Sequence, residues 1–351
     1  MAHLTLVLPF ALPLPEFAPD LVRALDTPAL AALLSRTSGA ARRAPPPDGA
    51  HALPHEAWLA RALGLDALGR PAFAAAAMRG FGLDPGPGTW YLVTPAHIQI
   101  ARSHLMMADM RAATPDDADG RALFEAARAL CEETGHPLLF GDAQTWFLRA
   151  DGWTGFETAS PDTVANMDLT DFIPKGAPAQ AYRRLQNEVQ MAWHAHPVNA
   201  AREARRLPAV NAFWVWGAAS GVAAAAAAAP AAALATCAVP GWLAALGRER
   251  LGSLDALARL DGVLAQGGLL AVGNLAEPAL AADWGGWVAQ MQSLETLLFA
   301  PLLAALKDGR LAGLRLVLSS REGLVESGTS ALAQRKFWRR PALDALLPAP
   351  R

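Results

Sequence analysis

Apolar residues fall along this chain in short unbroken runs that alternate with longer stretches of helical spacing. LTLVL (residues 4–8) is a strand-length apolar run, and GGLLAVGN (267–274) and GLRLVLSS (313–320) repeat the pattern. Runs of this kind mark strands buried on both faces, as in a parallel sheet. DTPALAALLSR predicts a helix starting at the Asp26–Pro28 signal, EAWLARALGL a second, and GWVAQMQSLETLLFAPLLAALKDG a long one. AYRRLQNEVQMAWHAHP places Leu185, Val189 and Ala192 or Trp193 on one face, which predicts an amphipathic helix ended or bent by Pro197. A short helix NAAREARR and a strand AVNAFWVWG follow. PGPGTWYLVTPAHIQIARSHLMMADMR predicts turn, strand, turn and strand. TPDDADGRALFEAARALCEETG predicts a capped helix, and HPLLFGD and TWFLRAD two further strands.

Strands alternating with helices indicate an α/β chain with a largely parallel sheet. The polar, turn-rich stretch at 51–180 suits an inserted smaller α+β subdomain, leaving 1–50 and 181–351 as the core. At 351 residues, 53% apolar and 18% charged, the chain can bury a large core. A net charge of −2 argues against nucleic acid or an acidic membrane surface as a partner. Cys131 and Cys237 lie far apart and form no CxxC, so no disulfide framework or thiolate metal site is indicated. The apolar N-terminus has no basic leader region and four prolines, so it reads as strand and loop, and a cytoplasmic location is the default. Residues 207–247 hold no charge, but they are rich in alanine, with few Leu and no Ile, and are divided by Gly217, Gly221, Pro230 and Pro240. A soluble tract is the better reading than a membrane span.

One segment carries candidate chemistry: HPVN, two residues, Arg, then Pro-x-x-Asn and a strand closing on glycine. The positions are His196, Pro197, Val198, Asn199, Arg202, Pro208, Asn211 and Gly217. This pattern resembles the archaeal-type, cofactor-independent phosphoglycerate mutases of the alkaline phosphatase superfamily. The longer stretch NEVQMAWHAHPVNAAREARRLPAVNAFWVWG resembles a bacterial branch labelled regulatory protein RpfE or phosphoglycerate mutase. The resemblance implies an alkaline phosphatase-like three-layer core, a pair of Mn²⁺ or Zn²⁺ ions and a serine that carries phosphate. Such chemistry needs carboxylates and imidazoles at several strand ends. In their places stand Leu8, Pro9 and Phe10, then Asn274 to Pro278, then Ser319, Ser320 and Arg321. All eight histidines lie at or before His196, and the loop PPPDGAHALPHE, where the serine would lie, contains no serine or threonine.

The expectation is therefore a degenerate, non-catalytic binding or regulatory protein without metal or other cofactor, taking a small anionic, phosphorylated ligand at His196, Asn199, Arg202 and Asn211. Arg202 is the leading contact, because a guanidinium fork matches phosphate oxygens. The alternatives are an active metal-dependent mutase or phosphohydrolase using Mn or Zn, and an interaction module built on the alanine-rich region 217–246. His196 reads as the last helical residue before Pro197. His194 reads as a packing or capping residue, Arg205 and Arg206 as surface, Asn187, Glu188 and Gln190 as an exposed stripe, and Trp214 and Trp216 as core. His51 and His55, with Asp48 and Glu56, have metal-like spacing but read as a surface loop because Pro54 interrupts them. His97 and His104 read as cross-strand partners.

Overall fold

A computed structural model describes residues 2–43, 51–67, 69–101, 104–221, 233–259 and 261–348. The chain forms two compact units, one of residues 1–46 with 231–351, the other of residues 47–230.

The first unit opens with β1 (Ala2–Leu8), α1 (Ala18–Ala24), α2 (Pro28–Ser35) and β2 (Gly39–Arg43). α2 begins at Pro28, whose missing N–H costs nothing in the first turn. Thr27 gives no side-chain cap; instead the Glu295 carboxylate accepts from the N–H groups of Ala29 (2.6 Å) and Leu30 (3.1 Å). A carboxylate there also suits the positive end of the helix dipole.

The second unit runs α3 (Pro54–Ala62), the small hairpin β3 (Asp66–Ala67) and β4 (Arg70–Pro71), α4 (Ala74–Gly80), β5 (Thr89–Ala101), β6 (His104–Ala108), α5 (Asp117–Glu133), β7 (Leu138–Asp142) and β8 (Thr145–Arg149). It continues through α6 (Pro161–Val164), α7 (Ala179–His194), α8 (Pro197–Ala204) and β9 (Ala212–Ser220). β5 is its spine, pairing antiparallel with β6, β8 and β9, while β7 pairs with β8. One face covers an aromatic core of Tyr91, Phe124, Trp146, Trp153, Phe156, Tyr182, Trp193 and Phe213. As the spacing predicts, α7 buries Leu185, Val189 and Trp193 into that core, and Asn187 and Gln190 are exposed on its other side.

The chain then returns to the first unit as β10 (Leu234–Cys237), β11 (Glu249–Leu251), β12 (Gly268–Val272), β13 (Leu311–Ser319) and β14 (Leu324–Ser330). Their order is β11-β10-β12-β1-β13-β14-β2. The first five are parallel to one another, and β14 and β2 close one edge in antiparallel register. Leu4, Leu6, Val7 and Leu8 of β1 are all buried, which explains why the strand is apolar without alternation. The α/β class with a largely parallel sheet is thus observed.

Three expectations change. Residues 181–230 fold with the insert and not with the core, because β9 pairs with β5 from Ser220 to Ala212 and α7 lies in the same aromatic core. The insert is therefore residues 47–230, more than half of the chain. The long helix near residue 290 is interrupted by a π-helical turn at Glu295–Phe299, directly before Pro301, and proline cannot donate to the regular ladder. His97 and His104 do not face each other: His97 pairs with Ala108 and His104 with Ala101. Most of the alanine tract lies outside the described residues, and among those described no helix is long and apolar enough to cross a membrane.

The glycine closing the motif has a backbone duty. Between Trp90 and Leu92 the β5–β9 register slips, so that Gly217 and Ala218 oppose Tyr91 alone, and Gly217 has φ +63°. This is the geometry of a β-bulge with a left-handed first residue. A Cβ at Gly217 would also sit 3.0 Å from Leu92 Cδ1. Gly217→Ala is expected to cost about 1–2 kcal/mol, read as a lowered urea midpoint, and an unchanged midpoint would show that the bulge tolerates a side chain.

Candidate functional site

In open α/β sheets, ligands gather at the carboxyl ends of the parallel strands, so that edge is the first place to look. After β1, Phe10 turns the chain with φ +59° and is 4% exposed, so a phenyl ring fills the first strand end. The Phe10 carbonyl accepts from the Trp287 indole N–H at 2.9 Å. After β12, Asn274 Nδ2 donates to Gln290 Oε1 at 2.8 Å, and Asn274 Oδ1 is buried with no hydrogen-bond partner. After β13, Ser319 is fully buried, and Ser320 Oγ accepts from Glu322 N and Gly323 N to form the turn into β14.

This donor set is an aromatic ring, two neutral amides and two hydroxyls. A pair of divalent cations needs carboxylates and imidazoles to offset its charge, so the implied binuclear metal does not fit these residues. Among the described residues no group of three or more His, Cys, Asp or Glu side chains could hold a metal ion. Burial pushes the Cys131 thiol up to about 12 and the Cys237 thiol up to about 11, so neither is a thiolate nucleophile at neutral pH.

The four residues expected at the ligand site lie in the second unit, and the structure gives each an internal partner. Asn199 is 2% exposed; Nδ2 donates to the Trp193 and Val210 carbonyls and Oδ1 accepts from Val210 N, all at 2.8 Å. One amide thus ties the end of α7 to the strand-ward chain beyond α8. Asn211 does the same one residue later, pairing Nδ2 and Oδ1 with the carbonyl and N–H of Ile98. Arg202 is 1% exposed, its Nε donating to the Pro208 carbonyl at 2.9 Å and one terminal nitrogen to the Ala113 carbonyl. Burial lowers its pKa, opposed by the nearby charges of Asp119 and Asp116. His196 is not the last helical residue but the N-cap of α8, its Nδ1 accepting from Val198 N at 3.3 Å, with Pro197 in the first turn. The motif closes as it opened, since Arg206, at φ +60°, allows Leu207 N to reach the Arg202 carbonyl and Arg206 N the Glu203 carbonyl. Trp214 and Trp216 are buried, as expected of core.

The sequence missed a cluster around α3. Pro54 does not break a surface loop there; it occupies the first turn of α3, which carries His55 and Glu56 inward to 5% and 2% exposure. Asp48 lies outside the described residues. Glu56 Oε2 accepts from Leu53 N and from Ser160 Oγ, each at 2.8 Å, and Ser160 Oγ also pairs with Thr163 Oγ1. Beside them Arg111 binds both oxygens of Asp162, at 2.6 and 2.7 Å, and Asp109 at 2.9 Å. Burial and the nearby Asp162 charge raise the Glu56 pKa to about 8, and burial lowers that of His55 to about 4. Both groups are therefore largely uncharged at neutral pH. Serine, imidazole and carboxyl here recombine the parts of a nucleophilic site. However, Ser160 is 3% exposed and caps α6, so its hydroxyl is a packing element. The hint in the sequence was the Pro-x-Glu spacing of a helix start.

No family model matches the chain, and no curated protein matches it in sequence. Two solved structures are similar in fold. One is a cofactor-independent phosphoglycerate mutase from Thermoplasma acidophilum DSM 1728, with TM-score 0.45 and 12% identity, covering 100% of this chain and 96% of that one. The other is the PH0037 protein from Pyrococcus horikoshii, with TM-score 0.52 and 11% identity, covering 98% and 91%.

Two outcomes follow from these contacts. Asn199→Ala leaves the N–H and carbonyl of Val210 unpaired, while the Trp193 carbonyl keeps the His196 N–H, and should cost about 2–4 kcal/mol in urea unfolding; a loss below about 0.5 kcal/mol would free this amide for another role. Glu56 holds its proton more tightly folded than unfolded, so stability should fall as pH rises from its ordinary carboxyl value towards 8. His55 works oppositely, with stability gained as pH rises from about 4 to its ordinary 6.5. The two offset each other below 6.5, and only the Glu56 loss remains above it. Melting temperature should therefore decline from pH 6.5 to beyond 8, and Glu56→Gln should flatten that decline.

Proposed function

We propose that this chain is a phosphoglycerate mutase-like protein that has lost the binuclear metal chemistry and acts as a binding or regulatory protein. The single observation supporting this reading is the carboxyl edge of the parallel sheet, where Phe10, Asn274 and Ser319 stand at the strand ends. Placement in the alkaline phosphatase superfamily, and in its regulatory bacterial branch, belongs to the same proposal. It draws on the motif from His196 to Gly217, whose residues are retained while their polar atoms are turned to the fold. A motif kept for its architecture alone is what a non-catalytic descendant would carry. A small anionic ligand remains part of the reading. With Asn199 and Arg202 buried and bonded, its place is proposed elsewhere than on those two side chains.

The test is elemental analysis of the full chain after incubation with Mn²⁺ and Zn²⁺ and thorough desalting, together with phosphoglycerate mutase and phosphatase assays. The expected result is well below one equivalent of metal and no chelator-sensitive turnover. About two equivalents, with activity lost to a chelator, would restore the mutase reading.

A further inference from the structure

Residues 331–348 combine exposed apolar side chains with a cluster of cations. Leu332, Phe337 and Trp338 are 74%, 83% and 66% exposed. Around them stand Arg335, Lys336, Arg339 and Arg340, against a single carboxylate, Asp344, in residues 331–348. The segment is also tied down. Gln334 and Leu346 are buried, with Gln334 Nε2 donating to Thr329 Oγ1. Ser35 Oγ donates to the Ala342 carbonyl while Ala342 N donates back to Ser35 Oγ. Lys336 Nζ reaches the Thr37 carbonyl and Arg339 the Ser35 carbonyl. The apolar side chains thus project from a fixed platform and cannot fold back into the core. Beside them is an open depression of about 290 Å³, lined by Leu34, Ser35, Arg339, Arg340, Asp344 and neighbouring alanines.

We propose that this segment docks on an anionic phospholipid surface, the aromatic pair entering the interface and Arg339 and Arg340 receiving a headgroup phosphate. Aromatic rings favour the interface between hydrocarbon and water, and each Lys or Arg close to an acidic surface adds to binding. The occupant is chosen by charge and shape. A second copy of the chain would oppose cations to cations if the patch met itself. A single-stranded nucleic acid is read by a row of stacking rings along a groove, whereas here the two rings are set against each other at 82° and the third apolar side chain, Leu332, has no ring to offer. The net charge of −2 gave no sign of this, because four cations gather in this one segment while acids elsewhere in the chain balance them in the total. The inference is independent of the metal question.

The test is co-sedimentation of the full chain with phosphatidylcholine vesicles, with and without a minor fraction of phosphatidylglycerol. Binding is expected only to the anionic vesicles and should weaken as salt is added. Phe337→Ser with Trp338→Ser, and separately Arg340→Glu, should each lower the partition coefficient by roughly tenfold, with melting temperatures unchanged. No binding to anionic vesicles would overturn the proposal. So would equal binding by the variants, binding to a single-stranded oligonucleotide in place of vesicles, or a dimer dispersed by the aromatic substitutions.

Discussion

Strand β1 has both faces buried and both edges paired, to β12 and β13, and the first unit is built outward from it. A strand in that position delivers its last residue into the middle of the sheet's carboxyl edge, where neighbouring strand ends converge. Whatever side chains follow must either meet a ligand or fill the space. Here Phe10 takes a left-handed backbone, a conformation a bulky residue adopts only when its surroundings compel it, and so buries its ring. Trp287 satisfies the carbonyl that this turn leaves over, and Leu12 N returns to the Ser319 carbonyl of β13. At the end of β1, core side chains occupy the space.

The second unit shows a parallel trade. Asn199, Arg202 and Asn211 are the residue types that bind anions, and they sit together between α7 and β9. Yet the chain there makes two reversals within about a dozen residues, and reversals leave backbone groups with no helix or strand to pair them. An asparagine can supply two donors and an acceptor from one side chain, and a guanidinium can reach carbonyls on different segments. Both are used so. The polar residues are consumed by the geometry of the connection.

Much of the fold was legible because its signals are local. The apolar runs of β1, β12 and β13 and the 3.6-residue spacing of Leu185, Val189 and Trp193 needed no knowledge of distant partners. β2 and β14 escaped because GAARR is an exposed edge strand and LVESGTS, held between β13 and β2, has mixed positions, so both are defined by pairing and not by periodicity. The boundary at 181 failed for the same reason: nothing local to α7 or β9 reveals that β9 adds to β5, some 120 residues earlier. The site was less legible still. The missing ligands could be counted from sequence, but the inward turn of His55 and Glu56 depends on Ser160, 104 residues away, supplying a hydrogen bond.

Composition misleads most where function is concerned, since an average cannot register where charge is placed. The chain has nearly balanced charge, yet the balance is local in some regions and absent in others. In the second unit it is local: Arg111 lies between Asp109 and Asp162, and Arg128 between Glu125 and Glu132. Cations neutralised at hydrogen-bonding distance contribute little field further away. In residues 331–348 four cations face one carboxylate, with exposed aromatic rings between them. On the first unit, then, the carboxyl end of β1 is filled by a buried ring while a basic and aromatic platform stands on the outer surface, and an average over the chain registers neither.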